Sequence, residues 1–164
     1  MEFGEPAPIP LNDHALQALG AIAVQSARLE WFLVGLHALL DESSLPHREY
    51  LREGRAKEHV KAIRRHLADA DESGPLEETV RWAEEAARLL GLRGDVMHSS
   101  WVVNTGGTLT TSHMRSGQER PFDQAELDDL ALALGVHVAM APAYWAFAVL
   151  WAEQRDAGGG GSTR

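Results

Sequence analysis

NDHALQALGAIAVQSARLEWFLVGLHALLD, residues 12–41, decides the fold. Asn12 or Asp13 offers a side-chain acceptor for the free amides of a helix start. Behind it Leu16, Leu19, Ile22, Ala23, Leu29, Leu33, Leu36 and Leu40 recur at the spacing of one helical face. Trp31, Phe32 and Val34 add apolar surface on the other side. A helix apolar most of the way round is central in its fold or lies at a subunit interface. Upstream, Pro6, Pro8 and Pro10 make residues 1–11 an extended lead-in.

Working towards the C-terminus, Ser43-Ser44-Leu45-Pro46 breaks the chain. A basic helical segment follows, interrupted near Gly54 and ending near Asp71. Ser73 is the expected cap of a third helix, with Pro75 in its first turn. Leu76, Val80, Ala83, Ala87 and Leu90 give that helix an apolar face, and Gly91 and Gly94 weaken its end. Trp101–Asn104 and Thr108–Thr111 flank Thr105-Gly106-Gly107 and read as a small hairpin. After a loop through Gly117, Asp123 with Glu126 resembles a capping box opening the last helix. Leu127, Leu130, Leu134, Val138 and Ala141 form its stripe, and Pro142 is expected to kink it before it resumes through Trp145 and Trp151. The expectation is an all-α, four-helix up-and-down bundle over residues 12–155, with a β-hairpin between helices 3 and 4. Residues 156–164, rich in glycine, read as a flexible tail.

The 164 residues suit one domain, and 45% apolar composition suffices for a core. There is no cysteine, so neither disulfides nor thiolate metal sites can form. The acidic start, Met1-Glu2-Phe3-Gly4-Glu5, lacks the pattern of a secretory signal. The most apolar run, Leu29–Leu40, is interrupted by Glu30, Gly35 and His37, so no membrane span is expected and a cytoplasmic location is. The formal net charge of -9 argues against a general nucleic-acid coat. Charge is uneven, however: seven Lys/Arg and three Glu between His47 and His66 make that segment +4 and the remainder -13. Such a stripe could meet a phosphate chain, but charge alone favours a solvated helix face with Glu/Lys pairing.

The chemistry-bearing segment is Leu92-Arg93-Gly94-Asp95-Val96-Met97-His98-Ser99-Ser100-Trp101. On a regular helix Arg93 and His98 stand about 140° apart, a geometry the two glycines can relax. Asp95 and His98, three apart, can meet on one face, where the carboxylate would hold the imidazole in one tautomer. A fixed cation, a base titrating near neutrality and an orienting acid suit phosphodiester chemistry. Arginine grips a phosphate with two parallel hydrogen bonds, and histidine moves a proton to or from an oxygen. One histidine cannot readily serve as both acid and base, whereas a two-fold dimer would bring a second His98 and Arg93 to one cleft.

Arg93, four residues and His98 at the end of a third helix resemble the R-x4-6-H motif of the HEPN superfamily. Ser99, Trp101, the β segment Val102–Thr111, the helix Asp123–Trp151 and the opening Ala27-Arg28-Leu29-Glu30-Trp31 are similar to one bacterial branch of it, over roughly Leu11 to Glu153. The resemblance implies a four-helix fold, homodimers and, in active members, metal-independent RNA cleavage by 2′-hydroxyl attack, leaving a 2′,3′-cyclic phosphate. Arg93 would then hold the scissile phosphate, His98 act as acid or base, and Asp95 orient His98. Arg55, Lys57, Lys61, Arg64 and Arg65 would attract the RNA. The residue after the motif arginine is usually polar; here it is Gly94, with Asp95 one place later.

A rival reading of the same chain is a non-catalytic dimerisation or partner-binding module of a bacterial defence or toxin–antitoxin assembly, with an antitoxin as its partner. Gly94 and the net charge favour it. A third is a small-molecule regulator with a pocket among Trp31, Trp82, Trp101, Trp145 and Trp151, residues more simply read as core or dimer contacts. Glu30 reaches toward His98 or pairs with an arginine. His59 and His66 are seven apart on a basic helix with no carboxylate at ligand spacing nearby, so neither a metal nor another cofactor is expected. His14, His37, His47, His113 and His137 read as structural or solvated.

Overall fold

The structure, a computed structural model, describes residues 11–41, 55–68, 74–103, 109–113, 119–121 and 123–159. Four helices among them pack into an all-α bundle: α1 (Asp13–Leu40), α2 (Ala56–His66), α3 (Pro75–Met97) and α4 (Gln124–Gly159). α1 touches each of the other three. Its buried stripe of Ala15, Ala18, Ile22, Ser26, Leu29, Leu33, Leu36 and Leu40 advances in steps of three or four. Leu16, assigned to that stripe by spacing, is exposed instead, because Ala15 and Ala18 take the inward positions.

Asn12 caps α1: its side-chain oxygen accepts the Ala15 amide at 2.7 Å. Asn12→Ala should therefore destabilise the protein by about 1 kcal/mol. A urea titration followed by circular dichroism measures this, and an unchanged midpoint would contradict the cap. α3 starts differently from expectation. Gly74, not Ser73, holds the cap position, and it makes no side-chain cap bond. Its φ of 142° suits glycine alone, and Pro75 then presets the first helical turn. Asp123 caps α4, accepting the Ala125 amide at 2.9 Å.

α3 continues unbroken through Gly91 and Gly94 to Met97. Its inward residues are Thr79, Trp82, Ala83, Ala86, Leu89 and Leu90. Thr79 is fully buried and satisfies its hydroxyl on the Pro75 carbonyl at 2.7 Å. On α4 all five stripe residues, Leu127, Leu130, Leu134, Val138 and Ala141, are buried. The helix runs continuously past Pro142 and on to Gly159, beyond the expected start of the tail at residue 156.

Trp82 and His137 fasten α3 to α4 reciprocally. The Trp82 indole N–H donates to the His137 carbonyl at 3.2 Å, and His137 Nε2 lies 2.8 Å from the Trp82 carbonyl. A carbonyl only accepts, so His137 carries its proton on Nε2. The two rings stack nearly parallel with centroids 5.3 Å apart, and Tyr144 stacks on the indole from 5.7 Å.

Between α3 and α4 the chain forms an antiparallel three-stranded sheet in the order β1 (Ser99–Val103), β2 (Leu109–His113), β3 (Glu119–Pro121). Ser99 pairs with His113 and Val103 with Leu109. The glycine turn at 105–107, the lead-in 1–10, the break at 43–46 and the tail from residue 160 lie outside the described residues.

Two helices are long and apolar enough to cross a membrane by length and composition: α1, and residues 124–155 of α4. Isolated polar residues interrupt their apolar runs without lowering the average enough to exclude them. Both also supply the bundle core, as Leu29, Leu33 and Leu134 show.

Candidate functional site

Helical geometry places Arg93 and His98 on different faces of α3, because the glycines between and before them leave the helix regular. Arg93 points toward α1, where its guanidinium Nη2 lies 3.8 Å from Glu30 Oε2. The Arg93 side chain is 30% exposed and that of Glu30 45%. Glu30 thus meets the arginine rather than the histidine of the candidate pair. Arg93 Nε is shielded from solvent and has no hydrogen-bond partner within the described residues. His98 is the C-cap of α3. Its amide donates to the Gly94 carbonyl at 3.1 Å, and the residue is exposed. Asp95 is exposed, and its main-chain carbonyl accepts the Ser99 hydroxyl, which ties the last turn of α3 to β1. The site is therefore a helix end with a held cation on its inner flank and a solvent-facing imidazole at its tip.

The basic residues lie on α2. Arg55 is its N-cap, and Lys57, Lys61, Arg64 and Arg65 are all exposed. Its opposite face buries His59, Ala62 and Ile63. Arg64 forms an ion pair with Glu84 of α3, so part of its charge is spent within the chain. Arg48 and Arg52 lie outside the described residues.

The tryptophans divide. Trp82 is core, whereas Trp31 is 51% exposed and stacks on Trp145 at 5.9 Å. With Phe32, Pro142 and Ala146 these two rings line an open apolar pocket. Around it both helices are apolar on the outside. Leu132, Val136, Met140, Phe147 and Leu150 are exposed on α4, and Leu16, Val24 and Trp31 on α1. At 100° per residue each set falls within about an 80° arc, and the α4 stripe is about 27 Å long.

Sequence reading missed one cluster. His37 and Asp41 close α1, and His59 and His66 stand two turns apart on α2. The carboxylate that the neighbourhood of His66 lacks in sequence is supplied from α1. His37 Nδ1 lies 2.9 Å from His59 Nδ1, and His66 Nε2 lies 3.2 Å from Asp41 Oδ1. Burial lowers the pKa of His37 below the usual histidine value, and the adjacent His59 adds to the effect. The detectable signal was the four-residue spacing of His37 and Asp41, which puts both on one face.

Comparison with family models, with curated proteins and with solved structures finds no match to this chain.

Proposed function

We propose that this chain is a HEPN-like helical protein that acts on RNA as a homodimer, cutting the phosphodiester through Arg93 and His98. The observation that carries the reading is the end of α3. It presents an exposed imidazole at the C-cap while a half-buried guanidinium is held beside Glu30. The Glu30 carboxylate attracts one Nη of the guanidinium from 3.8 Å, too far for a hydrogen bond, and so leaves the Nη N–H groups to phosphate oxygens. His98, free of the helix interior, can take the 2′-hydroxyl proton. The partner's copy of the same residue would then protonate the leaving oxygen. Asp95 orients His98 in this scheme, the exposed cations of α2 draw in the RNA, and the β segment after α3 completes the HEPN-like pattern.

The apolar stripes of α1 and α4 supply the dimer face. Patches this long seldom stay open to water on a monomer. Size-exclusion chromatography with light scattering should give twice the chain mass of 18.0 kDa for the wild type. The double substitution Leu132→Glu, Val136→Glu should halve it. A monomeric wild type would remove the shared site.

The test of the chemistry is cleavage of a mixed RNA in the presence of EDTA by wild type, Arg93→Ala and His98→Ala. Loss in both variants supports the proposal, and equal rates in all three overturn it. A second reading, non-catalytic dimerisation or antitoxin binding in the cytoplasm, is favoured by the Glu30–Arg93 pair, which offsets the charge that RNA would need. It predicts no RNA on the purified protein, read as the 260/280 absorbance ratio at low and high salt.

A further inference from the structure

We infer that His37, Asp41 and His66 form a binding site for a divalent transition-metal ion, zinc being the expected occupant, at the junction of α1 and α2. The three side chains each offer one ligand atom, and these atoms lie within 4.8 Å of one another. Zinc bonds of about 2.0–2.2 Å in a tetrahedron set ligands roughly 3.4 Å apart, so the widest pair must close by up to about 1.4 Å. Side-chain rotation supplies that.

Three features distinguish this cluster from a chance meeting of polar groups. First, His66 Nε2 is shielded from solvent and faces Asp41 Oδ1 at 3.2 Å, yet it makes no hydrogen bond. A ring nitrogen and a carboxylate oxygen therefore face the same small space as an ion pair, and both are atom types that a divalent cation binds. Second, the Nδ1 of His37 lies 2.9 Å from the Nδ1 of the buried His59, so Nε2 would be its ligand atom in the proposed site. Metal-binding histidines characteristically use their other ring nitrogen in such a bond, which fixes the tautomer and the ring plane. His59 is thus a positioning residue behind the site. Third, Asp41 is the C-cap of α1 and His66 the last residue of α2. Two helix C-termini, with their partial negative charge, converge on the site and add to the carboxylate against the nearby Arg65.

Two imidazoles and one carboxylate, with no sulfur ligand, suit zinc and its neighbours in the first transition row better than magnesium or calcium. Three protein ligands leave a fourth position for water or for a group brought by a partner. Glu30 precedes His37 by seven residues, about 10 Å along α1, so this site is separate from the Arg93–His98 end. Its loss leaves that chemistry in place, and EDTA distinguishes the two.

The experiment is calorimetric titration of the full chain, freed of metal by chelation, with Zn2+, and of Asp41→Asn, His66→Gln and the surface control His14→Gln. One ion per chain is expected for wild type and control. Affinity should drop more than tenfold in the two ligand variants. Co2+ in place of Zn2+ should give the intense visible bands of a four-coordinate site. Because a ligand variant can lose its fold, imidazole NMR spectra of the wild type are recorded alongside. Zn2+ should move the signals of His37, His59 and His66 and leave those of His14 and His137 in place. No stoichiometric binding, binding unaltered in both variants, or shifts confined to His14 would overturn the inference.

Discussion

Trp82→Ala should destabilise the bundle by about 3–5 kcal/mol, the range for deleting a large buried aromatic. For a domain of this size that lowers the melting temperature by on the order of 10 °C. Trp82 is 4% exposed and sits between His137 and Tyr144. Its removal opens a cavity and also leaves the His137 carbonyl without the indole donor. Trp82→Phe separates the contributions. It keeps most of the stacking and loses one neutral hydrogen bond, for about 1 kcal/mol. Thermal unfolding monitored at 222 nm reads both. If the alanine variant melts with the wild type, the reciprocal fastening of α3 to α4 is wrong.

His98→Ala should reduce RNA cleavage about 10²–10⁴-fold, the usual contribution of a general acid or base. It should do so without loss of stability, since the residue is exposed and only its amide takes part in ending α3. Arg93→Lys is the companion measurement. It retains the charge but not the two-pronged grip, and its rate should stay well below that of the wild type. A His98→Ala enzyme that cleaves at the wild-type rate with an unchanged melting curve would leave only the non-catalytic reading.

Much of the bundle was legible because burial leaves a period in the sequence. Ile22, Leu29, Leu33, Leu36 and Leu40 on α1, and Leu127, Leu130, Leu134, Val138 and Ala141 on α4, are core in the structure. α3 was harder. Its inward positions hold Thr79, Trp82 and two alanines, Ala83 and Ala86, so hydrophobicity alone points partly to its flanks. The glycines misled in another way. Helix propensity made Gly91 and Gly94 a weak point, but α3 packs against α1, α2 and α4, and packing outweighs a cost of about 1 kcal/mol per glycine. The Arg93–Glu30 pairing was half legible, since both residues carry the charge but nothing local says which faces turn together. The histidine cluster was legible only as the His37–Asp41 spacing, because its third member, His66, comes from another helix. Only tertiary packing brings His37 and Asp41 to His66.

Pro142 bears on how force would travel through the molecule. Having no amide hydrogen, it leaves the Val138 carbonyl without its intrahelical donor, midway along a 36-residue rod. The half before it is anchored by Leu127, Leu130, Leu134 and Val138, whereas in the half after it Ala148 is the one fully buried residue among the described side chains. The compliant joint also borders the Trp31–Trp145 pocket. A load applied at the far end of α4 would be absorbed there as bending, like a hinged lever, and the anchored half would hold its place.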